Sequence, residues 1–434
     1  MQSMLMIDTL LVSPLGEVPL AAMGISTTIL AFILAIQMAL ANGSQLVLSR
    51  AVGSGSQQAL STASWSGMII NCLVASLFWT LLTVFDQPLI QALTDSTPLQ
   101  QEIADYLMIS KYLVLYTGIT QVMIALFNSL GKSRITLKGY LLELPINTLL
   151  TYLFINGFDL SDSLSYEGMG VQGAALGSIF AITARLIFFG ITLYKKRYIS
   201  FITLREVTSM GRNIRLHFLE IFPVAANVTI LMLGATVYQL LYSQLDINAY
   251  VAITLVAPWI RSGTQFIAAW SQSSAITISQ AIGSKKVDNL SKNVNTSIDV
   301  AIGISVLCAL LFIGMSFVIA DIYPDLDQST YQALAVIAPL YIILPIVRGY
   351  NTVHGNVLRA LGKTTAVFKI NFTGQWIISI PLCAVIVFGF DNSVFWAFAV
   401  QPFEELIRAF PLRHLAKKSL NDFDLQKAEK LMYS

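Results

Sequence analysis

What this sequence has least of is charge. Asp, Glu, Lys and Arg make up 12% of its 434 residues, against about 25% in soluble domains. No polar stretch is long enough to form a soluble domain, and the net charge of +2 says nothing in favour of a polyanionic partner, so no nucleic acid is expected. The three cysteines, Cys72, Cys308 and Cys383, have no paired spacing, which argues against disulfides and thiolate metal sites. The three histidines, His217, His354 and His414, are equally scattered, so no resident metal or cofactor is expected. There is no His-Glu-x-x-His, Gly-x-Gly-Asp or Gly-x-Ser-x-Gly, which speaks against an intramembrane enzyme. A phosphate-cradling Walker loop is missing too, so this chain does not draw its energy from ATP. Finally, no Lys or Arg occurs in the first 49 residues.

What is present is apolar: 55% of residues are hydrophobic and the mean hydropathy is +0.69. Runs of about 20 apolar residues, the length that crosses a hydrocarbon core as a helix, recur from end to end. They are continuous rather than alternating in ~10-residue segments, which excludes a transmembrane barrel. The chain therefore reads as an all-α polytopic membrane protein with twelve spans: 1–13, 20–49, 63–85, 104–129, 135–156, 170–194, 217–243, 249–280, 295–320, 331–358, 366–389 and 394–415.

The connections alternate in sign. Odd ones carry Glu17; Asp86, Asp95, Glu102 and Asp105; Asp159, Asp162 and Glu167; Asp246; Asp321, Asp325 and Asp327; and Asp391, with no Lys or Arg. Even ones and the tail carry Arg50; Lys132, Arg134 and Lys138; Lys195, Lys196, Arg197, Arg205, Arg212 and Arg215; Lys285, Lys286 and Lys292; Arg359, Lys363 and Lys369; and Arg413, Lys417, Lys418, Lys427 and Lys430. Only Lys111, Arg185, Arg261, Arg348 and Arg408 remain within spans. By the positive-inside rule the even loops and both termini are cytoplasmic, and the setting expected is a bacterial inner membrane.

The chain also repeats itself. Ser49-Arg-Ala-Val-Gly-Ser54 matches Ser279-Gln-Ala-Ile-Gly-Ser284, Leu60-Ser61 matches Leu290-Ser291, and Leu130-Gly-Lys132 matches Leu361-Gly-Lys363, as Lys138 does Lys369. Two six-span lobes, 1–194 and 217–416, thus lie in parallel, joined by a basic linker at 195–216 and followed by a cytoplasmic tail at 417–434. Parallel repeats of this kind belong to alternating-access transporters, with the substrate between the halves. Carried onto the first half, the register starts the first span before residue 1, so that helix is expected to be truncated.

In that first span sits Asp8, a lone acid in an apolar run. Such an acid costs about 2.5–3.5 kcal/mol at mid-bilayer on insertion scales, so it must bind a cation, take up a proton or face water. Its second-half counterpart is Tyr238, so only the first half carries the acid.

Ile7-Asp-Thr9, Leu15-Gly16, Leu20-Ala-Ala-Met-Gly24, Leu48-Ser-Arg-Ala-Val-Gly53, Asn128-Ser-Leu-Gly-Lys132, Asn147 with Tyr152-Leu-Phe-Ile155, Gly170-Val-Gln-Gly-Ala-Ala175 and Leu358-Arg-Ala-Leu-Gly-Lys363 come in an order and spacing that resembles the multidrug and toxic compound extrusion (MATE) family. The resemblance implies efflux of small organic cationic or amphipathic compounds, driven by Na⁺ or H⁺ entry through two six-helix lobes. It is nearest the DNA-damage-inducible (DinF-type) branch, which implies a cation-coupling group of Asp8, Asn147 and Ser178, with Thr151 standing where that branch has a second acid. The acids of the other sodium-coupled branch fall at Leu231 and Arg348.

One formal charge among four side chains is poor provision for a dehydrated Na⁺, whereas a proton needs one carboxylate, and burial favours its neutral form. The expectation is therefore H⁺ coupling, with Na⁺ at Asp8 the lesser alternative. One charge moving down 100 mV supplies about 2.3 kcal/mol.

Thr117, Gln121 and Asn128 share one face of the fourth span; with Tyr238 and Arg348 they are the expected lining of a substrate cavity. Glu404, Glu405 and Arg408 have intrahelical pairing distance and are expected to form a structural ionic cluster, with Arg261 or Arg348 as partners. Glu143 and Glu220 are expected at the cytoplasmic interface, and Pro145, Pro223, Pro258, Pro345, Pro381 and Pro402 as kinks. The partners expected are the bilayer and a small substrate, with the chain working as a monomer. The rival reading is a flippase for lipid-linked saccharides, which needs a cationic cavity for a diphosphate.

Overall fold

The computed structural model describes residues 2–161, 164–200, 210–324, 326–389 and 393–433. Asp162, Arg205, Asp325 and Asp391, used in the charge count above, and part of the 195–216 linker lie outside the described residues. Contacts divide the chain into two compact units: Met1–Leu48 with Ser56–Leu219, and Ser49–Gly55 with Glu220–Ser434.

The first unit contains α1 (Gln2–Val12), most of α2 (Glu17–Gly53), α3 (Gln57–Val84), α4 (Asp86–Leu93), α5 (Thr97–Ser110), α6 (Leu113–Ser129), α7 (Ser133–Asn156) and α8 (Val171–Lys196). Helices prevail because backbone N–H and C=O groups in hydrocarbon must be satisfied within their own segment. A 3₁₀ turn, Ser13–Leu15, carries Pro14 and ends at Gly16 with φ +113°, a conformation only glycine adopts at low cost. Val12, Ala22, Met23, Leu30, Ile103, Val114, Ile155 and Val171 are among the residues of its apolar core.

Helices α7 and α8 pack so closely that side chains are excluded between them. A Cβ on Gly173 would lie 2.5 Å from the Phe154 carbonyl, and one on Gly177 2.4 Å from Thr151 Oγ1. Small residues let helix backbones approach in membranes, where apolar burial does not distinguish lipid from protein.

The second unit contains the end of α2 and then α9 (Gly211–Tyr242), counted from Glu220, α10 (Ile247–Gly283), α11 (Leu290–Ile322), α12 (Gln328–Ala360), α13 (Thr364–Phe372), a π-helical segment (Thr373–Ser379), α14 (Ile380–Gly389), α15 (Val394–Asn421) and α16 (Leu425–Tyr433). The eleventh span is thus one run, Thr364–Gly389. Its π-helical turns lie just before Pro381, whose ring would meet the carbonyl four residues back; a wider turn accommodates it. The repeated hexapeptides pack reciprocally here: a Cβ on Gly53 would meet the Gln280 carbonyl at 2.1 Å, and one on Gly283 the Arg50 carbonyl at 2.0 Å.

Seven described helices are alone long and apolar enough to cross a membrane, and the pair Thr97–Ser110 and Leu113–Ser129, bent by 42°, makes an eighth. The others, shorter or more polar, complete the twelve-span arrangement. Two expectations need correction. The fourth span is not one helix from 104 but starts at Thr97 and bends at Lys111, where three-residue hydrogen bonds (Tyr112 N to Ile109 O, 3.2 Å; Val114 N to Lys111 O, 3.2 Å) replace the helical pattern. The all-α architecture stands, and one connection adds a small feature to it: Gly157–Ser161 and Leu164–Glu167 pair as an antiparallel hairpin in a polar segment, where strands are free of the bilayer's constraint. Glu143 is not interfacial but buried and bonded to Arg185 at 2.5 Å. Glu220, half-buried, meets the buried Arg50 at 2.5 Å. An acid inside a membrane protein is tolerated when a cation sits beside it.

Candidate functional site

Asp8 lies on α1 between α7 and α8. On α7, Asn147 and Thr151 are four residues apart and share a face. On α8, Ser178 follows Gly177, whose missing side chain brings that helix against Thr151. The result is a closed group. Ser178 Oγ donates to Asp8 Oδ2 at 3.1 Å and Thr151 Oγ1 to Asp8 Oδ1 at 3.4 Å. Asn147 Nδ2 in turn donates to Ser178 Oγ at 3.1 Å and to Thr151 Oγ1 at 3.4 Å. Asp8 is 6% exposed, and Asn147 and Thr151 are fully buried. Every bond runs from a neutral donor towards the carboxylate. The four residues named from the sequence are therefore together.

Four carboxylates are buried among the described residues: Asp8, Glu143, Glu404 and Glu405. Three have arginine partners. Glu143 has Arg185. Glu404 accepts from Arg408 at 2.8 Å, and Glu405 from Arg408 at 2.9 Å and from Arg348 Nε at 3.0 Å. Among the described residues, the hydrogen-bond partners of Asp8 are neutral.

The second unit holds the larger network. Tyr238 donates to Glu404 at 2.5 Å, so the tyrosine in the place of Asp8 leads to an acid on another helix. Asn351 Nδ2 donates to Glu405 Oε2 at 2.8 Å, and Asn371 accepts from Arg408 at 3.4 Å while donating to Asn227 at 2.7 Å. Arg348 joins this cluster as one of the two partners named from the sequence; Arg261, exposed, does not. Asn227, Asn351 and Asn371 were not anticipated, because single amides in apolar runs show no spacing signal. Tyr238 and Arg348 are thus bound into the ionic network. Thr117 and Gln121 are buried, and the half-buried Asn128 accepts from Thr136 at 3.4 Å; no hydrogen bond among the described residues links these three to Asp8. No group of three or more His, Cys, Asp or Glu side chains able to hold a metal ion occurs among the described residues.

Two units built of long apolar helices, with only a few charged side chains buried among them, define a polytopic membrane protein fold. The chain belongs to the MatE family, whose model matches residues 1–153 and 223–385. It is 23% identical over 302 residues to the probable multidrug resistance protein NorM of Bacillus cereus, a match covering 68% of this chain and 64% of that protein, so it spans slightly under two thirds of that relative. Over 403 residues it is 23% identical to the uncharacterized transporter YisQ of Bacillus subtilis, covering 90% of this chain and 85% of YisQ. In fold it is similar to the crystal structure of the Vibrio cholerae MATE transporter VcmN in its bent form, with a TM-score of 0.81 at 18% identity over 97% of this chain and 93% of that one.

Proposed function

We propose that this chain is a secondary antiporter that exports small organic cations or amphipathic compounds from the cytoplasm in exchange for H⁺, by alternating access. The observation that carries the reading is that, among the described residues, Asp8 is the one buried acid of four that has no cationic partner. Burying an unpaired carboxylate is costly, and proton uptake removes that cost; the paired acids gain nothing comparable. In the proposed cycle, protonation of Asp8 from outside ends its pull on the bound compound, and release of the proton to the cytoplasm restores it.

The geometry favours H⁺ over Na⁺. Thr151, Ser178 and Asn147 turn donors towards the carboxylate, and one formal charge is little for a dehydrated cation. Asp8, Asn147 and Ser178 at these positions also support placement in the DinF-type branch. Topologically we read both termini as cytoplasmic, the membrane as the bacterial inner membrane and the working unit as a monomer.

With one proton per cycle, a neutral substrate draws on about 2.3 kcal/mol per 100 mV, or roughly a 50-fold gradient. A monovalent cation cancels the charge movement and leaves only the pH difference, about 1.4 kcal/mol per unit. The flippase reading has less support, since Arg348 and Arg408 are neutralised by Glu404 and Glu405 and offer little net charge to a diphosphate.

Efflux of a panel of fluorescent cations from proteoliposomes, with pH and Na⁺ gradients imposed separately, tests this. Transport should follow the pH gradient; dependence on Na⁺ alone would overturn the ion assignment.

A further inference from the structure

We propose that Arg261 is a subsite for a carboxylate, so that the compounds this chain exports carry an anionic group beside their cationic or apolar part. The inference deepens the export reading and rests on it.

Of the four arginines within spans, Arg185 has Glu143, Arg348 has Glu405, and Arg408 has both Glu404 and Glu405. Arg261 is exposed and has no such partner among the described residues. Its depth follows from the helix beside it. Between Asp299 and Asp321, α11 carries no charge, a length of about 31 Å at 1.5 Å per residue, which is one hydrocarbon core. Cys308 and Phe312 flank the centre of that run, and both meet Gly263. Cys308 Sγ donates to the Gly263 carbonyl at 3.3 Å, and a Cβ on Gly263 would lie 2.7 Å from Phe312 Cζ. Gly263 is therefore at the mid-plane, and Arg261, two residues earlier, is within about 3 Å of it along the axis. Either interface is then about 15 Å away, too far for the side chain to snorkel out of hydrocarbon.

Helix α10 has 37 residues, yet it is not among the seven helices apolar enough to cross a membrane alone. Its polarity is gathered on one face. At 3.6 residues per turn, Thr254, Arg261, Gln265 and Gln272 fall within about 40° of one another, and the first three are exposed. Gly263, against α11, and Ile267, which a Cβ on Gly349 of α12 would meet at 3.2 Å, lie on the other side. The exposed Trp259 and Phe266 lie about a third of a turn round from the polar face, where an apolar surface suits lipid. A guanidinium at mid-bilayer belongs against water or a partner rather than hydrocarbon. The Arg261 face of α10 therefore borders water.

What such a group takes follows from its charge and shape. A guanidinium is a planar fork of donors that matches a carboxylate through two parallel N–H···O bonds. Gln265, its i+4 neighbour, adds an amide donor on the same face. A diphosphate brings more charge than one guanidinium balances, and a lipid phosphate stays at the interface, so a single carboxylate on a solute is the fitting occupant. Arg261 can bind it without first giving up a protein carboxylate, as Arg185, Arg348 and Arg408 would have to.

The test uses the full chain in detergent with tetramethylrhodamine, which has a free carboxylate beside its cationic rings, and its methyl ester, which has none. Fluorescence anisotropy at neutral pH, with no gradient, gives the affinity for each independently of ion coupling. The parent should bind the acid about tenfold tighter than the ester, the low end for a hydrogen bond to a charged group. Arg261→Gln should lose that preference by weakening the acid alone. Ester binding and the melting temperature should stay near those of the parent, because no ion pair among the described residues depends on this side chain. A parent that binds the acid no tighter than the ester overturns the subsite, as does a variant that keeps the preference or weakens both compounds alike. Should Arg261→Gln not fold, Arg261→Lys replaces the fork with one ammonium and must narrow the preference; an unchanged preference counts against the subsite. Export of both compounds from proteoliposomes, under a pH gradient and under a Na⁺ gradient, is measured beside binding. Carboxylate-selective binding without export under either gradient means that the export reading fails while the binding site stands, whereas export with no carboxylate preference in binding removes the subsite alone.

Discussion

Gly177→Ala is a single methyl addition whose effect can be worked out from the helix packing. The new Cβ would lie 2.4 Å from Thr151 Oγ1 and 2.7 Å from its backbone nitrogen, where ordinary contact begins at 3.4 Å. A hydroxyl can rotate away but backbone cannot, so α7 and α8 must separate locally by about 0.7 Å, the shortfall at that nitrogen. Applied to the Asn147–Ser178 bond at 3.1 Å, which crosses that interface, the shift carries it past about 3.6 Å, where a hydrogen bond no longer counts as one. Overpacking of this kind costs about 1–3 kcal/mol. Gly190→Ala on the same helix is the control, since a Cβ there meets nothing within 4 Å. In detergent, Gly177→Ala should lower the apparent melting temperature and gradient-driven efflux, while Gly190→Ala changes neither. Indistinguishable behaviour of the two variants would refute the claim that α7/α8 contact sets the Asp8 geometry.

Arg408→Met leaves Glu404 buried beside Tyr238 without its cation and should destabilise the protein by about 3–5 kcal/mol, the cost of breaking a buried pair from one side; chemical denaturation checks it. Lys285→Ala breaks a pair with Glu429 whose side chains are both about half exposed, and should change stability by no more than about 1 kcal/mol. Charge exchange of Glu404 and Arg408, Glu404→Arg with Arg408→Glu, should retain transport if the cluster is structural; loss of transport with an unchanged melting temperature would give it a transport role.

The spans were legible because lipid imposes length and composition on any helix that crosses it, and because the alternating loops would lose their sign pattern if one crossing were miscounted. The break at Lys111 was not legible: neither proline nor glycine marks it, and continuous hydropathy hides a bend. The hairpin at 157–167 was missed because a short polar connection has no lipid constraint to reveal its backbone. Of the Asp8 group, the residues were legible by resemblance and their convergence was not, since it depends on how closely Gly177 admits α7. Glu143 was misjudged because proximity to a helix end reads as exposure, although it falls one turn from Asn147; its partner Arg185, two turns from Ser178, was placed within a span but not paired with it. In the second unit, the pairing within Glu404, Glu405 and Arg408 followed from spacing on one helix. The link from Tyr238 to Glu404 spans 166 positions of sequence and is a product of tertiary packing.

The most direct test of the central claim is the pH-gradient-driven efflux of a fluorescent organic cation by Asp8→Asn in proteoliposomes, with the unfolding midpoint recorded to show an intact fold. Asparagine keeps the size of the side chain and its place against Ser178 and Thr151 but cannot exchange a proton. The account predicts a folded protein in which an imposed pH gradient no longer drives efflux. A variant that exports as fast as the parent under the same gradient would contradict it.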